Sequence, residues 1–75
     1  MSPQQRVEDK EDLLAAAGFA ARPANTPQRQ AMLRRLPPDR FVQRARGNQF
    51  VYLFADLLVC NCLYIGDQTA YGRYR

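Results

Sequence analysis

The chain has 75 residues, of which 47% are hydrophobic, with a formal charge of +4, two cysteines, and no histidine or tryptophan. So short a chain allows one domain with a small core, because it buries only about 60% of the surface it exposes when unfolded. Without histidine, the usual general base and the usual partner of a nucleophilic cysteine are missing, and there is no Gly-rich phosphate loop; a non-enzymatic protein is expected.

In chain order, Ser2-Pro3-Gln4-Gln5 has the form of a capping box with proline at the first helical position. Helix formers from Leu13 to Ala17 and a left-handed stop at Gly18 predict a helix within residues 3–17. Val7 is the only large apolar residue in its first turns, so residues 1–8 are expected to fray. Phe19 to Arg22 reads as a short strand that Pro23 closes. Thr26-Pro27 starts a second helix, in which Met32, Leu33 and Leu36 form a core stripe at spacing three and four, and Pro37-Pro38 ends it.

The strongest structural signal follows. Phe41 to Arg46 and Gln49 to Ala55 are strand-like runs joined by Gly47-Asn48, which suits a type II′ turn. That turn pairs Ala45 with Phe50, Gln43 with Tyr52 and Phe41 with Phe54 on an aromatic face. The other face pairs Arg44 with Val51 and Val42 with Leu53, and it also receives Arg40 and Arg46. Val59 to Ile65 reads as a third long strand, bounded by Gly66. Asp67 then caps a terminal helix with Ala70, Tyr71 and Tyr74 on one side. The expected fold is a single α+β domain over residues 1–75. Its mostly antiparallel sheet, made of the central hairpin and the Cys-containing strand, carries two or three short helices on one face.

No secretory leader is expected from the polar, acidic residues 1–12. The apolar run from Phe50 to Ile65 is short for a membrane span and carries Asp56 and Asn61, so it reads as core strands. A cytoplasmic protein with no membrane contact is expected, its thiols reduced by default. Self-association as a homodimer is one way for so small a domain to bury more apolar surface.

Two segments carry a resemblance. The first is Ala16-Ala17-Gly18-Phe19, then Arg22-Pro23-Ala24-Asn25-Thr26-Pro27 with Arg29-Gln30-Ala31, then Leu36-Pro37-Pro38. The second is Val59-Cys60-Asn61-Cys62-Leu63-Tyr64-Ile65-Gly66 followed by Ala70-Tyr71. Together they resemble a family of small uncharacterised proteobacterial proteins, in which a proline often follows the aspartate that stands here as Asp56. The resemblance implies no activity, cofactor or ligand.

Three groups of residues are candidates for function. Cys60 and Cys62, if both lie on one strand, point the same way. They supply two of the four ligands of a zinc site, the others coming from Asp56, Asp67 or a second copy of the pair. As a disulfide they would span about 6.5–7 Å between Cα atoms on an extended strand, which is a strained and easily reduced bridge. As plain residues they are small core hydrophobes. The second group is basic. Residues 1–12 carry Arg6 and Lys10 against Glu8, Asp9, Glu11 and Asp12, whereas residues 13–75 carry nine arginines against Asp39, Asp56 and Asp67. Arg34, Arg35, Arg40, Arg44 and Arg46 are the expected partner-binding residues, toward an anionic or protein partner or toward nucleic acid. Stacking on nucleic-acid bases would also need Phe50, Tyr52 and Phe54 exposed, and these are expected in the core. The third group is Tyr64, Tyr71 and Tyr74, read either as an interface or as the residues that dock the last helix. The expected function is a non-enzymatic binding or regulatory module that works through the basic hairpin face. Nucleic-acid binding and a metal or thiol-redox site at the cysteines are the alternatives.

Overall fold

The computed structural model describes residues 2–37 and 40–75. These form α1 (Pro3–Ala17), β1 (Ala20–Pro23), α2 (Pro27–Arg35), β2 (Phe41–Arg46), β3 (Gln49–Asp56), β4 (Cys62–Asp67) and α3 (Gln68–Tyr74). The strands make one antiparallel sheet in the order β1-β4-β3-β2. This is the α+β domain expected.

Local chemistry sets the element ends. The Ser2 side chain accepts a hydrogen bond from the Gln5 N–H, and α1 is helical from Pro3 onward. Gly18 is left-handed at φ 106°. Its N–H donates to Ala15 O, and the Phe19 N–H donates to Leu14 O. This pair of bonds satisfies the last carbonyls of α1 and turns Phe19 back onto the core. Thr26 caps α2 by accepting from the Arg29 N–H, and Asp67 caps α3 by accepting from the Ala70 N–H. Pro38, half of the expected double-proline stop after α2, lies outside the described residues. In the hairpin, Gly47 alone has positive φ (65°), as a type II′ turn requires, and every expected β2–β3 pair is present.

Cover on both faces of the sheet is the main departure from expectation. Helices α1 and α3 pack on the aromatic face, where Leu14, Ala17, Phe19, Phe54, Cys62, Tyr64 and Ala70 form the larger core. Helix α2 packs on the opposite face, where Leu33 and Leu36 meet Ala24 and Ala55, with Val42 and Leu63 alongside. The expectation of helices on one face underrated the second face. Leu53, Ala55 and Leu63 make it apolar along its middle, and an apolar face needs cover. Met32, expected in the core stripe, is 62% exposed. Helix α2 is too short and too narrowly seated to bury more than the Leu33 and Leu36 line.

Gly66 illustrates how close the packing is on the aromatic face. A Cβ built there would lie 2.6–2.7 Å from three ring carbons of Phe19, itself 5% exposed and in ring contact with Phe41 and Tyr74. Gly66→Ala is expected to lower stability by about 1–3 kcal/mol, read as a fall in the urea midpoint, because the ring has nowhere to move. A change under about 0.5 kcal/mol would show that Phe19 repacks freely.

Candidate functional site

Strands β3 and β4 are joined by the loop 57–61, and Asp56 stands opposite Cys62 in their register. Asp56 is buried at 3% exposure, and its carboxylate organises the loop. Oδ1 accepts from the Leu58 and Val59 N–H groups at 2.8 and 3.1 Å, and Oδ2 accepts from the Cys60 N–H at 2.7 Å. Backbone donors that would have paired in a strand are turned inward instead, so β4 starts at Cys62 rather than Val59. Asn61 then takes a left-handed conformation at φ 52°, to which asparagine is well suited, and its carbonyl accepts from the Ala24 N–H.

This turn corrects the expected cysteine geometry. Cys60 and Cys62 do not share a strand face. Cys60 is in the loop and exposed, whereas Cys62 begins β4 and is 0% exposed. The bend at Asn61 brings their Cα atoms to 5.1 Å, well inside the usual disulfide range, and the two residues are bridged. The bridge therefore needs no distortion of a strand.

Glu11 approaches from α1 and joins the candidate site, although the sequence reading does not single it out. It is buried at 9% exposure and faces Tyr64 and Cys62. The Tyr64 Oη donates to Glu11 Oε2 at 3.0 Å, and Cys62 Sγ lies 4.0 Å from the same oxygen. A signal was available: Glu11, Leu14 and Ala17 are the buried residues of α1 at spacing three, so a carboxylate stands in line with the apolar stripe.

The electrostatics follow from burial and from who donates to whom. Burial, together with a hydrogen bond to the carboxyl of Asp56, pushes Glu11 up from 4.5 to about 7. Burial also presses Asp56 upward, but hydrogen bonds from Glu11 and from the three loop N–H groups outweigh it, and Asp56 is held below its ordinary value of 3.8. Glu11 is thus the partner that keeps the proton and Asp56 the carboxylate, the usual outcome when two acids share a site. Burial and the contact with Glu11 push Tyr64 up to about 12, so it remains a donor.

One ligand atom from each of Glu11, Asp56, Cys60 and Cys62 lies within 4.8 Å of the other three. Asp56, expected as a completing ligand, is therefore in place. Asp67 is not, because it sits at the far end of β4 capping α3. No family model, curated protein or solved structure matches this chain.

The arginines divide. On the second face, Arg35 and Arg44 join Arg22 and Arg29 around a groove of about 570 Å³ floored by Leu33 and Leu53. Arg34, Arg40 and Arg46 are exposed and do not line it; Arg40 stands just before β2. Of the three aromatic residues expected in the core, Phe54 is there and Tyr52 is half-buried, but Phe50 is 44% exposed. Tyr52 stacks on Tyr71 with ring centroids 4.0 Å apart. Tyr71 and Tyr74 dock α3 against Phe41, whereas Tyr64 belongs to the Glu11 cluster. Among the described residues no helix is long and apolar enough to cross a membrane.

Proposed function

We propose that this protein is a small, non-enzymatic, redox-responsive module whose working part is the Cys60–Cys62 pair. The observation that carries the reading is the asymmetry of a bridge formed across a preset turn, between Cys60, an exposed loop residue, and Cys62, a fully buried one. On this reading an incoming thiolate approaches from the side of the exposed residue, Cys60. Its attack forms a mixed disulfide on Cys60 and releases Cys62 as the leaving group, 4.0 Å from a carboxyl oxygen of Glu11. A second thiolate then attacks the outer sulfur of the mixed disulfide. The external thiols leave as their own disulfide, and two electrons and two protons have passed to the pair. In the cytoplasm expected from the sequence, a low-molecular-weight thiol supplies these electrons, and the bridge reports a shift toward oxidising conditions. Loop 57–61 is the element that responds, because the bridge and Asp56 hold it from both sides. Its Leu57, Leu58 and Val59 are exposed, so an apolar surface changes with it.

The test is equilibration in a series of glutathione buffers, followed by alkylation and mass measurement. One two-electron transition is expected, from two alkylated cysteines to none, with amide shifts confined mainly to loop 57–61 and β4. Two cysteines that stay alkylatable under every ratio would overturn the reading.

The groove supports a second reading, recognition of an acidic protein segment. Four guanidinium groups around an apolar floor suit side-chain carboxylates presented on an apolar stretch. An acidic, leucine-containing peptide should shift the resonances of α2 and β2 at low salt, and Arg35→Glu with Arg44→Glu should abolish the shifts. Binding that survives this double charge reversal would exclude the groove.

A further inference from the structure

We infer that the reduced protein binds one divalent ion of the zinc class through Cys60, Cys62, Glu11 and Asp56, and that the ion and the disulfide exclude each other. The inference rests on the redox reading above and adds a ligand to the same site.

Four donor atoms from three parts of the fold converge here, all within 4.8 Å of one another: Glu11 from α1, Asp56 from the end of β3, and the cysteines from the loop and the start of β4. A tetrahedral zinc ion, with sulfur at about 2.3 Å and carboxylate oxygen at about 2.0–2.2 Å, sets its ligands roughly 3.3–3.8 Å apart. The widest pair in the cluster exceeds the finished spacing by at most about 1 Å, and the two bonded sulfurs separate to their places on the ion once the bridge opens. Cys60 is the exposed member on a loop, so its sulfur is the one free to swing when the bridge opens.

The donor set selects the ion. Two thiolates favour zinc-class metals and disfavour magnesium and calcium, which prefer all-oxygen shells. Two thiolates and two carboxylates give the same net charge around the ion as a four-thiolate zinc centre. Asp56 can serve the loop and the metal together: of its four acceptor sites three take the loop N–H bonds, and the fourth, which takes the Glu11 hydrogen bond, is freed when the ion displaces that proton. The Tyr64 hydroxyl on Glu11 supplies the outer hydrogen bond that orients a ligating carboxylate. A cleft of about 640 Å³ beside α1 reaches one of the four ligands, Asp56.

The chemistry balances as follows. Two equivalents of a thiol reductant open the bridge, leave as their disulfide, and give two free thiols. The ion then displaces the protons of both thiols, together with any proton on Glu11. Oxidation that re-forms the bridge removes two ligands at once and releases the metal.

Cobalt(II) added to protein reduced with a phosphine, with thiols counted on the same sample, is the test. A sulfur-to-cobalt charge-transfer band that saturates at one ion per chain and disappears on adding zinc is expected. Unreduced protein should show no band. Glu11→Gln, a neutral near-isostere that keeps the fold, should weaken cobalt binding about tenfold or more and change the visible bands. Two free thiols with no charge-transfer band would overturn the metal site while leaving the redox reading intact. A band that saturates at one ion per two chains, or that Glu11→Gln leaves unchanged, would overturn the four-ligand set. A pair that never bridges under oxidising ratios would overturn the redox reading and the mutual exclusion with it.

Discussion

Asp56→Ala is expected to lower stability by about 3 kcal/mol or more, a large part of the roughly 4–11 kcal/mol available to a domain of this size. The carboxylate accepts from three consecutive N–H groups of one loop, and alanine leaves all three to find water or to remain unpaired. It also leaves Glu11 without the carboxylate that shares its proton. Asp56→Asn keeps one acceptor oxygen and should cost roughly half as much. The measurement is the urea midpoint without reductant, combined with a thiol count. The alanine variant should also bridge Cys60 to Cys62 less completely, because Cys60 is no longer held at the turn. A loss under about 1 kcal/mol would show that the loop holds its shape without Asp56. Acid should mimic the substitution in part. Asp56 is held below its ordinary pKa, so its contribution is present above about pH 3.8 and is lost as the pH falls through its lower folded value.

Glu11 makes stability depend on pH in the opposite sense. Its proton is held to about pH 7 in the folded chain but only to about 4.5 when the chain unfolds. Between those values the native state binds more protons than the unfolded state, so stability falls as the pH rises from 4.5 to 7 and then levels off. The span corresponds to at most about 3 kcal/mol, shared with Asp56 because the two acids titrate as a pair. Glu11→Gln reproduces the protonated form, since an amide can still donate toward Asp56 and accept from Tyr64. The variant should match the wild type near pH 4.5 and exceed it by about 1–3 kcal/mol at pH 8. Denaturant titrations at both pH values decide the matter. Equal slopes with pH in both proteins would mean that Glu11 ionises freely where it sits.

The two substitutions have different uses. Asp56 shapes the loop, whereas Glu11 touches the buried sulfur and leaves the loop bonds alone. Glu11→Gln is therefore the cleaner probe of the chemistry, and Asp56→Asn the cleaner probe of the architecture.

Much of the fold was legible because it is encoded over a few residues. Ser2, Thr26 and Asp67 each cap the helix that follows, Gly18 ends α1, and Gly47-Asn48 sets a hairpin register that carries through to Phe41 opposite Phe54. The candidate site was only half legible. Cys60, Cys62 and Asp56 drew attention as residue types. The sequence marks Asp56 as a candidate ligand but gives no sign of the turn it imposes on the cysteines. Val59 to Ile65 looked like one continuous strand because its side chains are apolar and β-favouring. Asp56 overrides that preference by capturing backbone donors, and propensity does not register such a competition.

The sequence alone determined the element types, the helix caps, the hairpin register and the lack of a histidine-based active site, since each depends on neighbours within a few residues or on composition. Tertiary structure decided which face α2 covers, that Met32 stays in solvent, which arginines gather around one groove, and that Glu11 meets Cys62 and Tyr64 across 51 and 53 residues of chain. Those outcomes depend on how helices distribute over two apolar faces of one sheet. That choice is made by the total surface buried, a property of the whole chain rather than of any segment.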